Sequence, residues 1–231
     1  MIKAKKSLGQ NFLIDKNILK KITNTTDIED KIILEIGPGT GNLTSYILKK
    51  NPKKVFVIEK DDDLVSKLEN KFDDCITIIN DDVLRIDETS LFKDKVTVFG
   101  NLPYNISTQI LVNFISLNKW PPFYKRIIFM FQKEVADRIL AKSNTKQYGR
   151  ISVISNFRFN ITDNFKISKN CFFPKPKVDS KIIIFKPKVR INYKISNIEN
   201  LEKITQVFFS NKRKMINKAF SRIFQNYEDV A

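Results

Sequence analysis

Five short apolar runs constrain this chain more than any other feature. They are Ile32–Ile36, Val55–Ile58, Ile76–Ile79, Val96–Phe99 and Ile127–Phe131. Between them lie residues at helical spacing: Leu43, Tyr46 and Ile47; Leu64, Val65, Leu68 and Phe72; Ile110, Leu111, Phe114 and Ile115, with Ser107 placed to cap their helix; and Val135, Ala136, Ile139 and Leu140. Runs of four or five apolar residues are too short for buried helices and suit strands covered on both faces. Strand alternating with helix predicts a doubly wound, mostly parallel α/β sheet with right-handed crossovers. The pattern then changes. Residues 149–157 read as a helix and residues 159–167 and 180–186 as two strands, with the Pro-rich loop Phe172–Lys177 between them. From about residue 190 the spacing is purely helical. This divides the chain into a sheet domain, 1–188, and a small basic helical domain, 189–231.

Composition closes off several chemistries. The chain has no histidine, which excludes Ser-His and Cys-His nucleophilic sites, a histidine base and histidine metal ligands. Cys75 and Cys171 are far apart and form no metal or redox motif, so no metal site is expected, and reduced cysteines suit a cytoplasmic protein. The longest apolar run, Ile127–Phe131, is far short of the roughly twenty residues a membrane helix needs, and Lys3, Lys5 and Lys6 precede no apolar stretch of a signal peptide. The net charge is +16. It is uneven: residues 1–164 carry net +6 and residues 165–231 net +10. Lysine outnumbers arginine 33 to 8, so many lysines are simply a solvated face, but the concentration in the last third is the electrostatic footprint of a polyanion binder, nucleic acid above all. Within it Lys212, Arg213, Lys214, Lys218 and Arg222 fall in eleven residues without an acid, and Lys214, Lys218 and Arg222 share one helical face opposite Met215, Ile216, Ala219, Phe220, Ile223 and Phe224.

The first run ends in Glu35-Ile36-Gly37-Pro38-Gly39-Thr40-Gly41. Glycines at Gly37, Gly39 and Gly41 permit a tight strand-to-helix turn and close approach of backbone to a ligand. Their spacing of two, with an acid ahead, departs from the dinucleotide fingerprint and favours S-adenosyl-L-methionine over a nicotinamide cofactor. Glu59, at the end of the second run, is placed to accept both ribose hydroxyls. Asp82, after the third, is placed to accept from the adenine amine of the cofactor, with Val83 beside it.

The fourth run ends in Gly100-Asn101-Leu102-Pro103-Tyr104-Asn105-Ile106-Ser107. Such a loop fits chemistry on an exocyclic amine, whose lone pair is delocalised into its ring. The Asn101 side-chain oxygen and the Leu102 carbonyl can accept the amine's two protons, so that the nitrogen moves toward tetrahedral geometry. A methyl group held in line then reacts through position and electrostatics without a strong base. Pro103 stiffens the loop, Tyr104 offers a face for the base, and Phe172 is expected to cover the other.

Together these segments resemble the ribosomal RNA adenine dimethyltransferases, closest to the KsgA type that acts on small-subunit rRNA. The resemblance is carried by Gln10-Asn11-Phe12-Leu13, the glycine loop, Asn101 through Thr108, Gln132-Lys133-Glu134-Val135-Ala136 and Phe172 through Ser180, and runs from residue 3 to about 222 in family order. It implies a class I, Rossmann-like methyltransferase fold with a small C-terminal helical domain. It places Gln10, Asn11 and Leu13 at the border of the cofactor, Gly37, Glu59, Asp82 and Asn101 on it, and Asn101, Leu102, Tyr104 and Phe172 around the target base. It implies methylation of two adjacent adenines in the loop of the last small-subunit helix, twice each, by a cytoplasmic monomer whose partner is the small-subunit rRNA or its assembly intermediate. Family members continue with a further helical stretch beyond Lys212-Arg213-Lys214, so the resemblance implies a shortened appendage here. Two alternatives stay open at this level: a large-subunit rRNA methyltransferase of the antibiotic-resistance kind, and a non-catalytic nucleic-acid-binding factor on the same fold. Leu102 and the Gln132–Ala136 run favour the small-subunit type; the intact Glu59, Asp82 and Asn101–Tyr104 set argues against a non-catalytic factor.

Overall fold

The computed structural model of the chain describes residues 5, 9–86, 91–189 and 198–210. Five parallel strands form its centre: β2 (Ile32–Ile36), β3 (Lys54–Glu59), β4 (Thr77–Asn80), β5 (Val96–Gly100) and β6 (Tyr124–Gln132). They follow β1 (Phe12–Leu13), which lies outside this sheet, and precede β7 (Phe159–Ile167), β8 (Phe172–Phe173) and β9 (Ser180–Pro187). The seven-stranded sheet has the order β4-β3-β2-β5-β6-β9-β7. Strand β9 enters between β6 and β7 and is antiparallel to both. The two short strands β1 and β8 pair with each other as an antiparallel ribbon.

Alternation along the strands builds two cores. Ile33, Val55, Val57, Phe99, Ile128 and Met130 face one side, against α1 (Lys16–Thr23), α2 (Asn42–Leu48) and α3 (Asp62–Phe72). Their chain neighbours Leu34, Ile58, Val98, Ile127 and Phe129 face the other, against α4 (Ser107–Ile115), α5 (Lys133–Ile139) and α6 (Arg150–Arg158). A central strand buried on both faces has no polar side, which is why these runs read as mostly apolar rather than alternating. The expected α/β architecture is present.

Three local expectations change. Ser107 does not cap α4; it is the first helical residue, Ile106 stands at the cap position, and the Ser107 hydroxyl donates to the Tyr104 carbonyl at 3.2 Å. The Pro-rich loop contains strand β8. Helix α1, capped by the Asp15 carboxylate through the Asn17 and Ile18 N–H groups, precedes the first expected strand and belongs to the pattern as well.

The helical tail is described as α7 (Ile198–Phe209). It packs on the preceding part of the chain through Glu202, which accepts from Arg150 at 3.3 Å and from the Ser116 hydroxyl, and through buried Ile198. Lys212, Arg213, Lys214, Lys218 and Arg222 lie outside the described residues. Among the described residues no helix is long and apolar enough to cross a membrane.

Candidate active site

From β2 the chain winds outward through β3 to β4, then returns to place β5 on the other side of β2. The carboxyl ends of β2 and β5 diverge there, and a crevice at such a switch point is where open α/β sheets bind ligands. A cleft of about 250 Å³ occupies it. Its walls are the loops that leave four successive strands, closed on one side by residues 9–13.

The glycine loop forms the floor. Gly41 has φ +70° and stands at the N-cap of α2, where its missing side chain matters: a Cβ would lie 2.4 Å from the Phe72 ring. The Lys71 ammonium holds the loop from outside, donating to the carbonyls of Thr40 at 3.0 Å and Gly41 at 3.2 Å. Two acids line the interior. Glu35 is 1% exposed and accepts from the Thr44 hydroxyl at 2.7 Å; burial pushes its carboxyl up to about 7. Glu59 receives the N–H groups of Gly39 at 3.1 Å, Lys60 at 2.9 Å and Asp61 at 3.0 Å. Burial raises its pKa, and these three donors oppose the shift. Asp82 is anchored by the Lys60 ammonium at 2.8 Å and the Leu84 N–H at 3.0 Å, and the lysine is the main cause of its lowered pKa.

Residues 9–13 are tied to each wall by long-range bonds. The Gln10 amide donates to Asp61 at 2.8 Å, and Asp61 also takes the Lys5 ammonium at 2.6 Å. The Leu13 carbonyl accepts from the Asn42 amide at 2.8 Å. The Asn11 carbonyl accepts from Asn101 Nδ2 at 3.2 Å. This last bond uses the donor end of the Asn101 amide and leaves Oδ1 as the end that can accept from a substrate. Tyr104, next along, is held by a 2.7 Å hydrogen bond between its hydroxyl and that of buried Ser180, and burial raises its pKa.

A family model described as ribosomal RNA adenine dimethylase matches residues 1–230. The chain belongs to this family. It is 52% identical to the ribosomal RNA small subunit methyltransferase A of Pelagibacter ubique (strain HTCC1062), a match covering all of this chain and 87% of the relative. It is 40% identical to the protein of the same description from Wolbachia sp. subsp. Drosophila simulans (strain wRi), over all of this chain and 85% of that one. Among solved structures, a dimethyladenosine transferase from Plasmodium falciparum superposes with a TM-score of 0.78 at 30% identity, covering 91% of this chain and 75% of that one. The 23S rRNA methyltransferase ErmE shares the fold, with a TM-score of 0.70 at 24% identity over 92% of this chain and 84% of its own.

In this dimethylase-family chain one cleft gathers most of the residues expected to act. Gln10, Asn11, Leu13, Gly37, Gly39, Glu59, Asp82, Val83, Asn101, Leu102, Pro103 and Tyr104 all line it. Two do not. Gly41 sits behind the loop against Phe72 and Leu68, so its task is the turn and the helix start. Phe172, expected over the second face of the target base, is 3% exposed and packs in the core with Leu13 and Ile167. The side chains of β8 alternate, and Phe172 has the inward position. Sequence reasoning also passed over Thr44, Asp61, Asn42 and Ser180. Thr44 acts on Glu35, nine residues before it, and the other three act through partners 29 or more positions away. From the sequence Glu35 is only the acid ahead of the glycines.

Proposed function

We propose that this chain transfers methyl groups from S-adenosyl-L-methionine to the exocyclic N6 of adenine in small-subunit rRNA, dimethylating two adjacent adenines in the loop of its terminal helix. The observation that carries the reading is the Asn101 amide. Its nitrogen is committed to the Asn11 carbonyl, so its oxygen is preorganised to accept an amine proton at the carboxyl end of β5.

The cleft suits the cofactor by its donor set. A sulfonium with an ammonium group is cationic, and Glu35, Glu59 and Asp82 line the space. Glu59 would hold the ribose hydroxyls, Asp82 and Val83 the adenine, and the Gly37–Gly39 backbone the amino-acid portion, as Gln10, Asn11 and Leu13 cover it. When bound, the cofactor supplies an electrophilic methyl group. The rest is done by the chain. Asn101 Oδ1 and the Leu102 carbonyl accept from the adenine amine and raise the electron density available on its nitrogen. Pro103 restricts the loop that carries both acceptors. Tyr104, fixed through Ser180, presents a ring against which the base can stack. Preorganised acceptors of this kind act without reorganising during transfer. Lys212, Arg213, Lys214, Lys218 and Arg222 hold rRNA phosphates, which position the subunit without reading sequence.

Incubating the protein with labelled cofactor and unmethylated small subunits, then analysing nucleosides, tests the reading. Label in N6,N6-dimethyladenosine of the small-subunit rRNA is expected. Label confined to large-subunit rRNA, or none, overturns it.

A further inference from the structure

The β1–β8 ribbon carries a feature that the transfer chemistry does not use. Phe12 is paired with Phe173 and Leu13 with Phe172. Cross-strand partners project from the same face. Leu13 and Phe172 therefore share the inner face, and both are 3% exposed. Phe12 and Phe173 share the outer one. Phe12 lines the cleft, its ring so near Gly39 that a Cβ there would meet it at 3.0 Å. Its partner Phe173 is 62% exposed, the only exposed aromatic ring among the described residues. Exposed Ile14 extends the ribbon at one end, and exposed Val178 lies beyond the proline loop.

The unengaged charges beside this patch are of one sign. Lys175 and Lys177 are exposed, and no described acid pairs with either. The two nearest acids in the chain are engaged: Asp15 caps α1, and Asp179 takes the Lys166 ammonium at 2.8 Å and the Lys169 N–H at 3.0 Å. A bare ring beside two unpaired lysines, paired across the ribbon with a ring that lines the cleft, matches unpaired nucleotides. Bases stack on exposed aromatics whatever their sequence, while the phosphates need cations.

We propose that this ribbon docks single-stranded RNA at the mouth of the cleft. Phe173 stacks on an unpaired base next to the one that enters, and Lys175 and Lys177 hold the flanking phosphates. The inference rests on the rRNA methyltransferase reading above and adds to it a second base-contacting site outside the transfer chemistry.

The test uses the full chain and unmethylated small subunits. Phe173→Ala is expected to weaken subunit binding by about 5- to 150-fold, the usual worth of one stacked base, with cofactor affinity unchanged. Phe173→Trp should restore binding, and its emission should be quenched on binding over the constant background of Trp120; Phe173→Leu, apolar but without a ring, should not restore it. Lys175→Ala with Lys177→Ala should lower the salt dependence of binding by about 0.7 per lost contact on a single strand. Wild-type binding by Phe173→Ala, or equal rescue by Leu and Trp, overturns the inference while leaving the methyltransferase reading intact. Quenching by intact subunits but not by protein-free rRNA also overturns it, by assigning the ribbon to a protein contact. A wild-type chain that leaves subunits unmethylated overturns both readings.

Discussion

The two halves of the cleft are built differently. The floor of the proposed cofactor half is local, though its cover, residues 10–13, is tied by long-range bonds: Glu35, Gly37 and Gly39 come from one strand and its loop, Glu59 ends the next, and Glu59 is held by the backbone of its own neighbours and of the glycine loop. The target half is assembled from a distance. Asn101 is oriented by a residue 90 positions away and Tyr104 by one 76 positions away. A site made from local turns forms wherever its strands pair. A site made from long-range side-chain bonds exists only once the whole sheet is in place. Substitutions in the two halves should therefore separate binding from transfer.

The largest separation is expected at Asn101. Asn101→Ala should lower the single-turnover rate about 10²- to 10³-fold, the usual cost of one preorganised hydrogen-bonding group, with little change in cofactor affinity by calorimetry. Near-normal turnover would remove Asn101 from the transfer step and break the contrast.

Glu35 probes the other half through pH. Its carboxyl pKa is raised to about 7 by burial, so between its unfolded value and that point the folded chain holds a proton that the unfolded chain has released. The stability it contributes is fully present below the unfolded pKa and is lost as pH rises through the folded one. Ionising it costs up to about 3 kcal/mol above pH 7. Glu35→Gln should flatten the fall in melting temperature between about pH 5 and pH 8. Thermal melts of both proteins across that range check this; parallel curves would show that Glu35 does not titrate there.

Glu59→Ala should weaken cofactor binding about 10- to 100-fold, since charge-assisted hydrogen bonds contribute roughly 1.5–3 kcal/mol. Calorimetry decides it, and unchanged affinity would reduce Glu59 to a brace for the glycine loop. The smallest effect is expected at Ser180. Ser180→Ala removes the partner of the Tyr104 hydroxyl, a neutral bond with a net worth of about 1 kcal/mol. The turnover number should fall about three- to tenfold with cofactor affinity intact. A fall in cofactor affinity instead would mean that the two halves are coupled through β9.

The same division explains what could be read from the residues alone. Strands β2 to β6, the glycine loop and the acids at successive strand ends declare themselves through apolar runs of the right length and through residue types whose role is local. The ribbon does not. Phe12 and Leu13 form a strand of two residues whose partner lies some 160 positions later, too short for any periodicity. Whether Phe172 or Phe173 faces outward is a question of register, decided only by which of them meets Leu13. A shift of one residue would exchange the two rings; in the register seen, Phe172 takes the buried place. Helix α1 is legible in Asp15, Ile18, Leu19 and Ile22, at cap and helical spacing. Ser180 stands at the start of an otherwise ordinary strand, and nothing in its neighbours announces a bond to Tyr104.

The insertion of β9 between β6 and β7 has a consequence for the order in which the molecule is made. As the chain is synthesised from its N-terminus, β2 to β6 can pair in succession, and β7 emerges with no neighbour to join, because the strand that separates it from β6 has yet to appear. Ser180, the partner of Tyr104, begins that missing strand, and the second strand of the ribbon is translated just before it. On the proposed function, the strands that carry the glycine loop and Glu59 are thus made well before the partner of Tyr104.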